Sequence, residues 1–327
     1  MSNGTSTPYY GPNEDPATIF LERTFLAGDL LAGFGYGIEV AMYVYCANYL
    51  WKQRRSRSQA IFILVYLTVI LAVSTIFTGV QARTVQLMYI DNRNYPGGPW
   101  QYFLATQNLA VNVMFEATLF LIAFLNDLLV LWRCWIIWRA SGRYIAYAAT
   151  ALPTLMIIAS FIMGTLWTLQ SSQPGLSFYS ALPMAYGISY YSISLSINII
   201  LTALIVLRLL WYRRTLMTSL PAAHARHYLS IATVLIESAS LYSVFALGFL
   251  ISYGTGNPIN QIFLGLAQAA QQISTYLIIY RLADGRAWNR DTLTRETLTT
   301  MQFDDRGAGK MDGPAATTAE LSYDNDS

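Results

Sequence analysis

The sequence predicts an all-α, polytopic bundle of seven transmembrane helices, with its N-terminus outside and its C-terminus in the cytoplasm. Three observations lead there. The chain is 54% hydrophobic and only 12% charged over 327 residues, where an ordinary soluble domain carries roughly a quarter charged residues. Its mean hydropathy is +0.38. Seven apolar runs divide it, and arginine gathers behind every second one. Each run meets the length of about 20 residues that a hydrocarbon core of ~30 Å requires.

The runs span 26–51, 59–81, 103–138, 144–170, 181–211, 227–253 and 258–280. Behind the first stands Trp51-Lys52-Gln53-Arg54-Arg55-Ser56-Arg57, behind the third Arg139 and Arg143. Arg213, Arg214 and Arg226 follow the fifth, and Arg281, Arg286, Arg290 and Arg295 follow the seventh. The intervening loops hold only Arg83 and Arg93, partly balanced by Asp91, then no basic residue in Ser171–Ser180 or Ser252–Pro258. Short basic loops stay on the cytoplasmic side, which orients the chain.

Taken in order, residues 1–25 read as an extracellular tail, polar and without the basic and apolar regions of a cleavable signal. Asn3-Gly4-Thr5 is a glycosylation sequon on the matching side. Residues 26–281 form the transmembrane domain. In its first run Gly33 and Gly37 stand four apart, a spacing that favours close helix packing, within the bundle rather than between copies. Between the second and third runs, Asp91-Asn92-Arg93-Asn94-Tyr95-Pro96-Gly97-Gly98-Pro99-Trp100 is a dense turn signal. The third run is long enough to tilt or project, and Trp132, Trp135 and Trp138 mark its cytoplasmic interface. Pro153 is expected to kink the fourth helix. Residues 282–327 read as a cytoplasmic tail, largely disordered because its end is polar and acidic; Arg281 to Leu293 offers a weak interfacial helix.

Several chemistries are excluded. The only lysines are Lys52 and Lys310, so no helix offers one for a retinal Schiff base. The only histidines, His224 and His227, share one cytoplasmic loop, too few for a three-histidine metal site. Cys46 and Cys134 lie at or within helix ends and cannot staple an outer loop. The sequence implies no cofactor, metal or nucleic-acid partner, since topology already accounts for the basic loops.

Carboxylates are the informative polar groups. Asp29 and Glu116 fall near the outer interface, whereas Glu39, Asp127 and Glu237 lie deep. A charge at the bilayer centre costs at least ~2.5–3.5 kcal/mol, so such residues are expected to face the bundle interior. No base stands at similar depth, because Arg133 and Arg208 sit toward helix ends and can snorkel. Asn112, Glu116 and Asp127 share one helical face. Polar stripes run along the fifth helix (Tyr191, Ser194, Asn198, Thr202) and the sixth (Ser230, Thr233, Glu237, Ser240). A third occupies the seventh (Gln261, Gln268, Gln271, Gln272, Thr275). They are expected to converge on one polar core, whose candidate ligand-binding residues are Glu39, Glu116, Asp127, Asn198, Glu237, Gln268, Gln271 and Gln272. Structural glue between helices is the plain reading of such a core.

Some motifs resemble those of a known family. Asp91-Asn92-Arg93-Asn94-Tyr95-Pro96-Gly97-Gly98-Pro99, Arg133-Cys134-Trp135 with Trp138, and Leu235-Ile236-Glu237-Ser238-Ala239 with Leu241-Tyr242 are of this kind. So are Tyr190-Tyr191-Ser192-Ile193-Ser194-Leu195-Ser196-Ile197-Asn198 and the ending Arg208…Arg213-Arg214. They are similar to the seven-helix integral membrane proteins of mushroom-forming fungi. The resemblance covers nearly the whole chain and implies architecture, not activity. Likeness to G-protein-coupled receptors is topological only. Arg133-Cys134-Trp135 stands where they carry an acidic-Arg-Tyr triplet, and Asn257-Pro258 lies at the outer start of the seventh helix.

Three function classes follow. The first is a receptor-like sensor, in the plasma membrane, binding a small molecule in an acidic intramembrane pocket and engaging a cytoplasmic signalling partner at its basic inner loops. The second is a transporter or lipid translocator, against which the missing internal repeat weighs. The third is an enzyme acting on a lipid or isoprenoid through two deep acids.

Overall fold

The computed structural model describes residues 11–54, 58–173, 176, 180–217 and 222–280. Every regular element among them is helical. The helices are α1 (Pro16–Gln53), α2 (Ser58–Gln86), α3 (Gly98–Ala105), α4 (Ala110–Arg139), α5 (Arg143–Ser171), α6 (Ala181–Met217), α7 (Ala222–Gly254) and α8 (Asn260–Tyr280). A π turn, Leu87–Asp91, extends α2. All but α3 are long and apolar enough to cross a membrane, which makes seven spans among the described residues. The sequon at Asn3, the helix expected after Arg281 and the acidic tail lie outside the described residues.

In an apolar solvent every backbone polar group must be satisfied within its own segment, so these runs fold as continuous helices. The exposed Leu, Ile, Val and Phe residues of α1, α2, α5 and α7 form the outer surface that lipid would cover. α8 differs, since 61% of its most apolar 18-residue stretch is buried. Enclosed by the others, it can carry four glutamines without exposing them to hydrocarbon.

Four sequence expectations change. α1 begins at Pro16, well before residue 26, and its first turns belong to the core, with Thr24 and Phe25 buried. The Pro16 ring suits the first helical position, where no N–H is needed. Just ahead of it the Thr18 hydroxyl donates to Asp15 and holds that carboxyl below its usual value. Second, the run 103–138 is two helices. The Thr106 N–H turns back to Tyr102 and Phe103, the Leu109 N–H reaches Thr106, and Asn112 Nδ2 donates to the Thr106 carbonyl at 2.7 Å. Asn112 thus satisfies the backbone that the break leaves open. Third, His224 and His227 fall within the first turns of α7 rather than in a loop. Fourth, Gly33 and Gly37 do not pack in the bundle: a Cβ on either would meet open space.

The close approach of α1 is made on another face. Carbon added at Gly28 would strike the Gln261 carbonyl, at Gly265 the Gly28 carbonyl, and at Gly35 the Ala269 side chain. These glycines let the α1 and α8 backbones touch, which the spacing of small residues permits in membranes. α5 continues through Pro153 without ending.

The non-basic end is closed by a braced turn. Gly97 and Gly98 both have φ near +90°, which residues with a Cβ rarely adopt, and the Glu14 side chain occupies the space beside Gly98. Glu22 accepts the Trp100 N–H at 3.0 Å, and Phe25, Trp100 and Phe103 pack edge to face and tilted within 6 Å. Arg83 pairs with Asp91 at 3.3 Å in solvent.

Candidate functional site

Adjacent glutamines on α8 organise the polar core. Successive helical residues point about 100° apart, so Gln271 and Gln272 reach different neighbours. Gln271 Nε2 donates to Asp127 Oδ1 at 3.0 Å, and the α6 hydroxyl of Ser194 donates to Oδ2 at 2.7 Å. Ser194 also lies 3.4 Å from the Tyr242 hydroxyl of α7. Asp127 is 2% exposed, and among the described residues no ion pair neutralises it. Three helices therefore meet at one carboxyl, and α7 joins them through Ser194.

Gln272 Nε2 donates instead to Ser74 Oγ of α2 at 2.9 Å. Ser74 donates onward to Glu39 Oε1 at 3.2 Å, and the Tyr276 hydroxyl lies 3.3 Å from the same oxygen. Glu39 is completely buried. It stands on the α1 face that carries Gly28 and Gly35, eleven and four residues earlier, so the close seam delivers it to α8.

Two small cavities adjoin these centres. One, of about 20 Å³, runs between α4, α6, α7 and α8 from Asn126, Asn198 and Gln271 to Arg133, Ile205 and Ile278. Thr202, Ser274 and Thr275 also line it. A space of this size has room for about one water, and most of its lining is apolar. Asn126 is 1% exposed; its Nδ2 donates to Ile122, yet among the described residues its Oδ1 has no partner. Asn198 Oδ1 is likewise unpaired. The second cavity, of about 10 Å³, is lined by Tyr36, Ser74, Thr78, Gln268 and Gln272 beside Glu39.

Six of the eight candidate residues thus fall into two clusters: Asp127, Asn198 and Gln271, then Glu39, Gln268 and Gln272. Glu116 belongs to neither. It is buried near the start of α4, where Ser172 Oγ donates to Oε2 at 3.2 Å while Oε1 finds no partner among the described residues. Glu237 is a clear departure. It is exposed on the outside of α7, as are Thr233 and Ser240, so that stripe faces away from the core. α7 turns inward the row Leu235, Ser238, Tyr242, Ala246, Phe249 and Tyr253, all buried. Tertiary packing favours this row because it holds three rings, which bury more apolar area than the Thr, Glu and Ser of the other.

The expectation of an interior without a base also fails. Arg133 is 6% exposed and lines the larger cavity, while Arg208 is partly buried with its guanidinium 5.8 Å from the Trp138 ring. Ser74 and Tyr276 were invisible to the carboxylate argument. A signal existed for both: Ser74, Thr78 and Gln81 form a polar row on α2 at spacings of four and three, and Tyr276 follows Gln272 by one turn.

Chemically, both centres can hold a carboxyl by neutral donors and exchange hydrogen bonds with a small polar guest. Comparison with known proteins adds nothing to this geometry. No family model matches the chain, and no curated protein or solved structure does so either. It is a multi-pass helical bundle built for a membrane.

Proposed function

We propose that the protein is a receptor-like sensor whose ligand, a small polar molecule, binds in the cavity beside Asp127. One observation carries this reading: Gln271 lines the cavity and also grips Asp127. A guest that hydrogen-bonds Gln271, Asn126 or Asn198 competes with that grip and loosens α8 from α4 and α6. The present space admits about one water, so a larger guest requires α7 to move outward at Leu235 and Ala239, which wall the cavity on that side.

The rest of the proposal rests on the sequence. The alternating arginines support an outside N-terminus and a cytoplasmic partner at the basic loops, and the sequon fits a membrane of the secretory route, of which we take the plasma membrane. The quoted motifs support membership of the fungal seven-helix family.

Native mass spectrometry of the purified chain tests the ligand. A small molecule bound to the wild type is expected to disappear from Asp127→Asn and Gln271→Leu. It should persist in Glu237→Gln, whose side chain lies outside the bundle. Identical bound species in all four proteins, or none in the wild type, would overturn the reading.

A further inference from the structure

The side chains that line the larger cavity have committed their hydrogens elsewhere. Asn126 gives Nδ2 to the Ile122 carbonyl at 2.9 Å, which fixes the amide and leaves Oδ1, buried with the residue at 1% exposure, turned to the space. Gln271 gives Nε2 to Asp127, so the end of that amide left to a guest is Oε1. Among the described residues Asn198 Oδ1 has no partner either. The hydroxyls behave alike: Ser274 donates to the Ser238 carbonyl at 2.9 Å and Thr275 to the Gln271 carbonyl at 3.0 Å. What these groups still offer is lone pairs. Asn126, Asn198 and Gln271 are each the first lining residue of their helix, and α4, α6 and α8, one crossing apart, run the same way. The three amides therefore gather at one end. Arg133, the one cation of the lining, enters at the other, two turns and about 10 Å further along α4.

We propose that the ligand of this site is a small primary ammonium compound, whose three N–H bonds reach the amide oxygens of Asn126, Asn198 and Gln271. This rests on the ligand reading above and gives the guest its chemistry. Three open oxygens match three hydrogens. A carboxylate or phosphate group brings none, and a hydroxyl brings one and leaves two buried oxygens unpaired, at a cost. The ammonium head is about the size of the water that the space admits. Charge agrees, because among the described residues no ion pair neutralises Asp127, and Gln271 bridges it to the cavity. An amide whose N–H is already drawn to a carboxyl is also the stronger acceptor at its oxygen. Val130, Ile205 and Leu235 wall the remainder, which suits a short alkyl body.

The test follows the unfolding midpoint of the full chain in detergent, titrated at constant ionic strength with methylammonium chloride. A saturable rise is expected in the wild type. Potassium and tetramethylammonium chloride, which carry the charge without N–H donors, should give none. Asn126→Leu and, independently, Asn198→Leu should each raise the methylammonium Kd about ten-fold or more, the loss of one hydrogen bond to a charged group. Asn126→Asp, which keeps the oxygen and adds charge, should bind at least as tightly as the wild type. A wild type without a saturable rise would overturn the ammonium guest. So would an equal rise with potassium or tetramethylammonium, or leucine variants that bind like the wild type. The site is judged apart from its chemistry: if methylammonium fails while a co-purifying molecule is still lost from Asp127→Asn, the cavity keeps its role and takes a different guest.

Discussion

The two carboxyl centres on either side of α8 are built from similar parts but to different tightness. Asp127 accepts from two donors at 2.7 and 3.0 Å and has a cavity of about 20 Å³ next to its glutamine. Glu39 accepts at 3.2 and 3.3 Å, and its cavity is about half that size. Glu39 is also held by backbone contact, because Gly28 and Gly35 bring α1 against α8. One acid is placed by side-chain hydrogen bonds beside a space, the other by a helix seam that leaves little space. The difference teaches that a buried acid alone does not mark a site. What distinguishes Asp127 is the size of the adjoining space: its partner Gln271 lines about 20 Å³, whereas Ser74, the partner of Glu39, lines about 10 Å³.

Breaking the seam should have the largest effect. Gly28→Leu forces carbon into the Gln261 carbonyl and should destabilise the protein by about 3 kcal/mol, seen as a lower unfolding midpoint in detergent. Next, Asp127→Leu leaves the Ser194 hydroxyl and the Gln271 amide unpaired and should cost about 2–3 kcal/mol in the same assay. Glu39→Leu, which removes an acceptor of longer bonds, should cost about 1–2 kcal/mol. An equal or larger loss at Glu39 would erase the distinction between the centres. Double-mutant cycles sharpen it further. Gln271→Leu should couple to Asp127→Leu, and Gln272→Leu to Glu39→Leu, each by about 0.6–1.5 kcal/mol, with crossed pairs weaker because they act only through the shared helix. Glu237→Leu should change stability in detergent by less than about 0.5 kcal/mol, because the side chain is exposed.

Much of this architecture was legible from the chain. Solvent exclusion is a strong, non-directional force, so the seven runs and most of their ends follow from apolar length alone. The inward rows of α6 and α8 were also legible, since their polar residues repeat at helical spacing with no competing row. α7 carries two rows, and counting polar groups selects the wrong one. Ranking the rows by ring area would have placed Tyr242, Phe249 and Tyr253 inside and Glu237 outside. The break at Thr106 escaped for a local reason: Gln107 and Asn108 are ordinary within a helix, and only the reach of Asn112 back to Thr106 makes the interruption stable. Arg133 was assigned to the interface by its distance from the helix end. Neighbouring helices extend beyond it, however, and enclose it.

Adjacency of Gln271 and Gln272 has a mechanical consequence. A helix that grips one neighbour can turn about its axis and regain its bonds elsewhere. Here the two grips lie on different sides of the same turn, so a twist of α8 strains both at once. Release at Asp127 then lowers the torque that holds Ser74 and Glu39, and a disturbance in one half of the bundle is felt in the other without any change in helix length or tilt.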